Sequence, residues 1–89
     1  MELHATLPDE AETARRFADE VRGELARQRR TAAELALAIG STQQTIGRRL
    51  SGATPFNAIE MAFLSRFLGI PLPLLWERAT APQPRAVAS

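Results

Sequence analysis

The most constraining feature of the chain is the segment from Thr31 to Gly52, TAAELALAIGSTQQTIGRRLSG, which places two helix starts and two helix stops close together. Thr31 and Glu34 have the spacing of a capping box, in which each side chain accepts the backbone amide of the other residue. Gly40 suits the left-handed conformation at a helix end, and Thr42 suits the cap of the helix that follows. The segment therefore predicts two helices joined by a turn of about three residues.

Three further helices are predicted around this pair, and no strand pattern is present. A first helix is predicted at about residues 9–29, with acidic residues at its start and arginines at its end. A second capping pair, Asn57 and Glu60, begins a helix that ends at Gly69, and residues 70–77 predict a short fifth helix with prolines in its first turn. The prediction is an all-α fold of five helices.

Two of these helices have apolar patterns that predict how they pack. The first helix has a narrow stripe, which indicates packing on one face, formed by Ala14, Phe17, Val21 and Leu25. The helix after Asn57 is apolar on most sides, which predicts deep burial of Ile59, Met61, Ala62, Phe63, Leu64, Phe67 and Leu68.

The composition describes one small globular domain. With 45% hydrophobic and 24% charged residues, a chain of 89 residues can form a single core. No apolar run approaches the roughly 20 residues of a membrane span, and the acidic N-terminus does not resemble a secretory signal, so we expect a soluble, cytoplasmic protein. We expect a flexible N-terminus at 1–8, a folded domain at 9–78 and a disordered tail at 79–89.

The residues on which most enzymes depend are scarce. The chain has no cysteine, which excludes disulfides, thiol chemistry and the usual zinc sites. Its one histidine, His4, cannot form a metal site alone. No nucleophile, histidine and carboxylate set is available, and no paired carboxylates have a suitable pattern. We therefore expect a protein that is not an enzyme and that has no metal, cofactor or small-molecule ligand.

The net charge of +1 hides a segregation of charge along the chain. Residues 1–26 have three arginines and seven acidic residues, a charge of −4, whereas residues 27–54 have five arginines and one glutamate, a charge of +4. Such a cluster is either a solvated face or a surface for nucleic acid, and its position decides between the two. All eleven basic residues are arginine, a bias that a GC-rich genome explains as well as a need for bidentate bonds with phosphate or guanine.

Residues 31–75 resemble the Cro and phage-repressor helix-turn-helix family, also called XRE-like, in the order of their helices and glycines. Within it, GSTQQTIGRRLSG is similar to lambdoid phage repressors whose recognition helix begins with Thr-Gln-Gln. The resemblance implies a compact, lambda-repressor-like domain with its helix-turn-helix at 31–52 and its recognition helix at 42–51. It also implies a sequence-specific transcriptional regulator, a phage or prophage repressor or a Cro-like protein, that binds an operator in double-stranded DNA.

The resemblance places one face of the recognition helix at the base edges. The implied base-contacting residues are Gln43, Gln44, Gly47 and Arg48. A glutamine amide can bind adenine N6 and N7 as a bidentate pair, and an arginine can bind guanine O6 and N7 or a phosphate. The helical repeat turns Ile46 and Leu50 toward the core.

A second set of residues around this helix suits contacts with the DNA backbone, through hydroxyls, helix-start amides and arginine charge. The predicted phosphate-contacting residues are Arg30, Thr31, Ala32, Thr42, Arg49, Ser51 and Thr54.

Three features depart from the family pattern. Arg49 stands where relatives commonly have an apolar residue, so either the helix is slightly rotated or Arg49 extends from a half-buried position to a phosphate. Ala32 stands where relatives with this helix start have a glutamine that braces the first recognition glutamine. Leu25 and Leu50 stand where many relatives have a buried ion pair, a replacement that commonly leaves stability unchanged.

One domain of this class covers about half of an operator, so a homodimer, in solution or only on DNA, is expected. Candidate interface residues are Phe67, Leu72, Leu75 and Trp76, although a lone tryptophan in so small a protein is more often part of the core. The alternative function is a protein-interaction module, either an autoregulating antitoxin or a phage factor that binds host proteins, which the acidic first helix and the tail favour. Salt separates the two, because DNA binding weakens steeply as salt rises.

Overall fold

The computed structural model describes residues 9–82, which form five α-helices and, within that range, no strand. The predicted all-α, five-helix fold is confirmed. The predicted flexible residues 1–8 and residues 83–89 of the predicted tail lie outside the described range. The helices are α1 (Glu10–Gln28), α2 (Ala32–Ile39), α3 (Gln43–Leu50), α4 (Ala58–Leu68) and α5 (Leu72–Thr80).

Side-chain caps determine where four of the helices begin. Asp9, Thr31, Thr42 and Asn57 each accept the backbone amide of the residue three positions later, which satisfies one of the free amides of a first helical turn. Both predicted capping boxes are present, at α2 and at α4. These contacts are local, which is why the sequence predicts the helix starts well.

The core takes side chains from all five helices. Its largest fully buried members include Phe17, Leu35, Ile46, Leu64 and Leu75, one from each helix. Phe17 lies at the centre of an aromatic group: the ring of Trp76 stacks on it at 4.5 Å between centroids, and the ring of Phe56 meets it edge-on at 5.9 Å. The tryptophan of α5 therefore anchors that helix to α1.

The prediction that α4 is buried on most sides is wrong. Only Glu60, Leu64 and Leu68 of this helix are buried, whereas the side chains of Ile59 and Phe63 are 68% and 40% exposed. The helix packs on α2 and α5 through one face, so the opposite face has no partner within residues 9–82.

The folded domain also ends later than the sequence predicts. Ala79 and Thr80, which we assigned to the tail, form the last turn of α5, and Ala79 is 3% exposed. Apolar contact with the core thus extends the helix beyond the point where its own sequence pattern fades.

A cluster of four charged residues, here called the acidic tie, joins α1 to α5. Glu24 is 7% exposed and accepts hydrogen bonds from Arg27 at 2.8 Å and from Arg78 at 3.1 Å, and Glu20 lies within 3.7 Å of both arginines. The bond from Arg27 holds the pKa of Glu24 below its ordinary value of 4.5, against the burial that would raise it. Part of the acidic charge of the N-terminal third is therefore neutralised within the fold.

Within residues 9–82, no single helix is long and apolar enough to cross a membrane. Helices α4 and α5 reach such a length and composition only together, and they are bent by 101° at the break between them.

Candidate nucleic-acid interface

The two faces of α3 differ as the helical repeat predicts. Ile46 and Leu50 are buried, at 0% and 7% exposure, and join the core. The opposite face consists of the four residues that the resemblance placed at base edges, all of them exposed: Gln43, Gln44, Gly47 and Arg48. The structure therefore brings these four together on one surface that no other part of residues 9–82 covers.

A short turn fixes the start of α3. The amides of Gly40 and Ser41 both donate to the carbonyl of Ala36, at 2.9 and 2.8 Å, which closes α2 with Gly40 at a φ of +79°. Thr42 then caps α3: its hydroxyl oxygen accepts the amide of Thr45 at 3.0 Å and donates to the Thr45 hydroxyl at 3.0 Å. The hydroxyl that we expected at a phosphate is thus used within the cap.

The loop after α3 folds back on the end of the helix. The carbonyl of Arg48 accepts the hydroxyl of Ser51 at 3.0 Å and the amide of Thr54 at 3.3 Å, and the hydroxyl of Ser51 also accepts the amide of Ala53 at 3.2 Å. Ser51 is exposed and Thr54 half-buried. Both predicted phosphate contacts therefore lie beside α3, in a loop with an ordered backbone.

The guanidinium of Arg49, for which the sequence predicts a phosphate contact, is bonded within the fold. Its Nε and Nη2 donate to the two carboxylate oxygens of Glu60 at 2.8 and 3.1 Å, and the side chains are 18% and 10% exposed. Burial raises the pKa of Glu60, but the bonds from Arg49 and from the amide of Asn57, with the charge of Arg49, outweigh it and hold the pKa below 4.5. A phosphate contact by Arg49 therefore requires its guanidinium to leave a carboxylate that comes from the next helix, and the contact stays a prediction.

Arg30 is also engaged elsewhere. Its Nη1 donates to the carbonyl of Phe67 at 2.8 Å, and its guanidinium lies 3.6 Å from the centre of the Phe67 ring. Gln28 donates in the same way to the carbonyl of Leu68 at 3.0 Å. The last carbonyls of a helix lack partners within it, so the end of α1 caps the end of α4. Arg30 is half-buried and bonded there, and its phosphate contact stays a prediction.

The start of α2 contains the two remaining predicted phosphate contacts. Thr31 is exposed, accepts the amide of Glu34 at 3.1 Å and donates its own amide to the Glu34 carboxylate at 2.8 Å. Ala32 is the first residue of the helix and half-buried. In this first turn the amide of Glu34 is bound by Thr31, whereas the amides of Ala32 and Ala33 have no intrahelical acceptor and are suited to an anion.

The predicted dimer surface is largely part of the core. Leu75 is fully buried and cannot contact a second copy, which corrects its assignment to an interface. Phe67, Leu72 and Trp76 are half-buried and pack against the same core. Within the described part of the chain, the large apolar side chains with the greatest exposure are instead Leu37, at 83%, and Ile59 and Phe63 of α4.

Two arginines of α1 that the sequence did not single out support the end of α3. The guanidinium of Arg22 donates to the carbonyl of Leu50 and to Asp19. The backbone of Arg15 lies against Gly52, where a Cβ would be 2.9 Å from the Arg15 Cα and where φ is +83°. Neither contact has a local sequence signal, because each joins residues far apart in the chain.

The comparison with known proteins agrees with this geometry. The helix-turn-helix family model matches residues 24–75, more than half of the chain and the whole of α2, α3 and α4. No curated protein matches the chain. The family is a DNA-binding regulatory domain of XRE type and not an enzyme family. The chain therefore belongs to the helix-turn-helix family and is, in general terms, a DNA-binding transcription regulator.

Proposed function

We propose that this protein reads an operator in double-stranded DNA by inserting α3 into the major groove, and that it acts as a phage or prophage repressor or a Cro-like protein. The observation that carries the proposal is the polar face of α3, where Gln43, Gln44 and Arg48 are exposed on a helix whose other face is locked into the core. A helix held in this way presents its first turn to the groove in a fixed orientation.

The side chains of this face have the chemistry for base recognition. Each glutamine amide offers two donors and an acceptor, which match adenine N6 and N7 or the acceptors of guanine. Arg48 is exposed and has no ion-pair partner within residues 9–82, which leaves its guanidinium accessible. Gly47 contributes no side chain, and a Cβ there would meet open space, which permits close approach of a groove wall.

Backbone contacts flank this face on both sides. The amides of the first turn of α2, at Ala32, are proposed to bind one phosphate, and Thr54 with the exposed Ser51 another. Thr31 and Thr42 contribute by fixing the two helix starts. Two copies are proposed to bind a two-fold symmetric operator, since one α3 spans about half a site.

Selection of bound sequences from a random DNA pool, followed by affinity measurements with Gln44→Ala, tests the proposal. One bidentate contact accounts for about 1–3 kcal/mol, so the variant should lose roughly 5- to 150-fold in operator affinity and little in non-specific affinity. Glu77→Ala, at an exposed helical position on α5, serves as the control. A folded Gln44→Ala protein that binds the selected operator as tightly as the parent would contradict the assignment of α3.

A further inference from the structure

We infer that the Arg49–Glu60 ion pair is a positioning element for DNA recognition, which fixes the angle of α3 and of the loop at 51–56 without touching DNA. The inference rests on the function proposed above. Neither residue belongs to the surface that meets the bases, and both are nearly buried.

Glu60 joins two helices through one carboxylate. Its Oε1 accepts the amide of Asn57 at 2.9 Å, which completes the cap of α4, and the same oxygen accepts Nε of Arg49 at 2.8 Å. Its Oε2 accepts Nη2 of Arg49 at 3.1 Å. A bidentate fork of this type has a narrow range of geometries, so the last turn of α3 is held at a set distance and direction from the first turn of α4.

The loop between the two helices is closed by this pair. Its first part bonds back to the carbonyl of Arg48 through Ser51 and Thr54, and its last part is fixed where Phe56 packs against Phe17. Helix α3, which is proposed to read the nucleobases, and the loop proposed to bind phosphate therefore move as one unit. The Arg49–Glu60 pair connects this unit to α4.

A small rotation of this unit is enough to lose base contacts. Gln43 lies six residues before Arg49, about 9 Å along the axis of α3, so a rotation of about 10° at the Arg49 end moves Gln43 by about 1.6 Å. Hydrogen-bond lengths tolerate a spread of only roughly 0.5 Å. A bidentate ion pair therefore fixes the angle between α3 and α4 more narrowly than an apolar contact at the same place does.

Net stability alone does not account for the pair, because desolvation of two charges offsets most of their attraction. The competing role for Arg49, a direct phosphate contact, requires the guanidinium to leave Glu60. The two roles make opposite predictions for Glu60→Gln, a variant whose amide oxygen still accepts the Asn57 amide but which no longer holds Arg49 as a charged fork.

The experiment measures operator affinity and non-specific affinity for Glu60→Gln, Arg49→Met and Arg49→Lys, at a temperature where each is folded by circular dichroism. Arg78→Met, which removes one arginine from the other buried glutamate, is the matched control. A positioning role predicts about tenfold weaker operator binding for all three variants, with unchanged non-specific affinity and salt dependence, and no change for the control. Arg49→Lys retains the charge without the fork, so it tests geometry if the other two variants do not fold.

Tighter binding by Glu60→Gln, or a salt slope reduced by about one in Arg49→Met, would show a direct phosphate contact and overturn the inference. Unchanged operator affinity in every folded variant would overturn it as well. If the parent protein binds no DNA, the proposed function fails instead. In that case residual dipolar couplings still measure the angle between α3 and α4, and an angle unchanged in Arg49→Lys contradicts the positioning role.

Discussion

The α1–α5 side of the molecule and the corner between α3 and α4 each contain a glutamate that is 7% exposed, but arginine binds the two carboxylates differently. Glu24 accepts bonds from Arg27 on its own helix and from Arg78 on α5, and these arginine side chains are 61% and 41% exposed. Among residues 9–82, Glu60 has a single arginine partner, Arg49, whose side chain is 18% exposed.

The difference is one of redundancy. Loss of one arginine from Glu24 leaves the other in place, and water reaches the exposed partners, so the α1–α5 side is expected to tolerate change. Loss of Arg49 leaves Glu60 with the Asn57 amide as its hydrogen-bond partner among residues 9–82. The same residue types thus form a cluster between α1 and α5 that tolerates substitution. Between α4 and the proposed DNA-reading helix they form a pair that is sensitive to substitution.

The largest expected effect is that of Arg49→Met on stability. A buried carboxylate left without its arginine costs several kcal/mol, and partial exposure reduces this, so we expect the free energy of unfolding to fall by about 2–3 kcal/mol. Urea denaturation followed by circular dichroism measures it. A loss below about 0.5 kcal/mol would remove the distinction between the two glutamates.

An intermediate effect is expected for Arg48→Met on DNA affinity, compared with Arg27→Met. Arg48 lacks a carboxylate partner in residues 9–82, whereas Arg27 is already neutralised in the acidic tie. We expect about a tenfold loss of operator affinity for Arg48→Met, equal to about 1.4 kcal/mol, and less than about threefold for Arg27→Met. Equal losses in a titration of labelled operator would mean that charge alone, rather than its placement, governs binding.

The pH dependence of stability sharpens the same comparison. Both Glu24 and Glu60 have a pKa held below 4.5, so each contributes stability that is complete above about pH 4.5 and is lost as the pH falls through the folded-state pKa. Thermal melts across this range should show a shallower acid decline in Glu24→Gln and in Glu60→Gln than in the parent. If the acid decline of a variant matches that of the parent, the glutamate replaced in that variant does not have a lowered pKa.

The smallest effect is expected for Arg78→Met. Arg27 retains its two bonds to Glu24, and a partly exposed ion pair contributes little, so the free energy of unfolding should fall by about 0.5 kcal/mol or less. The double variant with Arg49→Met should show additive losses in urea denaturation, since no shared partner connects the two sites. A loss as large as that of Arg49→Met would mean that the acidic tie is not redundant.

The features that sequence predicts well are those determined within a few residues. The caps at Thr31, Thr42 and Asn57 each depend on a partner three positions away, and they place the starts of α2, α3 and α4 as expected. The division of α3 into a core face and a polar face follows from its alternation of Ile46 and Leu50 with polar residues.

The features that sequence misses depend on which helices meet. The sequence predicts phosphate contacts for Arg49 and Arg30. It does not show that the fold places Glu60 beside Arg49 and the carbonyl of Phe67 beside Arg30. The apolar residues of α4 occur on most sides, so their pattern indicates burial without choosing a face, and Ile59 is left exposed. The functional roles of the four residues on the polar face of α3 remain predictions.

The contact between Gly52 and Arg15 limits how this domain can be re-engineered. Because a Cβ at residue 52 would collide with the backbone of α1, a segment grafted from a relative must retain glycine there or α1 must shift away from the loop. The exchangeable part of the scaffold is therefore Gln43–Arg48, with Ile46 kept. Under the proposed function, new operator specificities are to be sought within that window, with the Arg49–Glu60 pair and the loop that follows left unchanged.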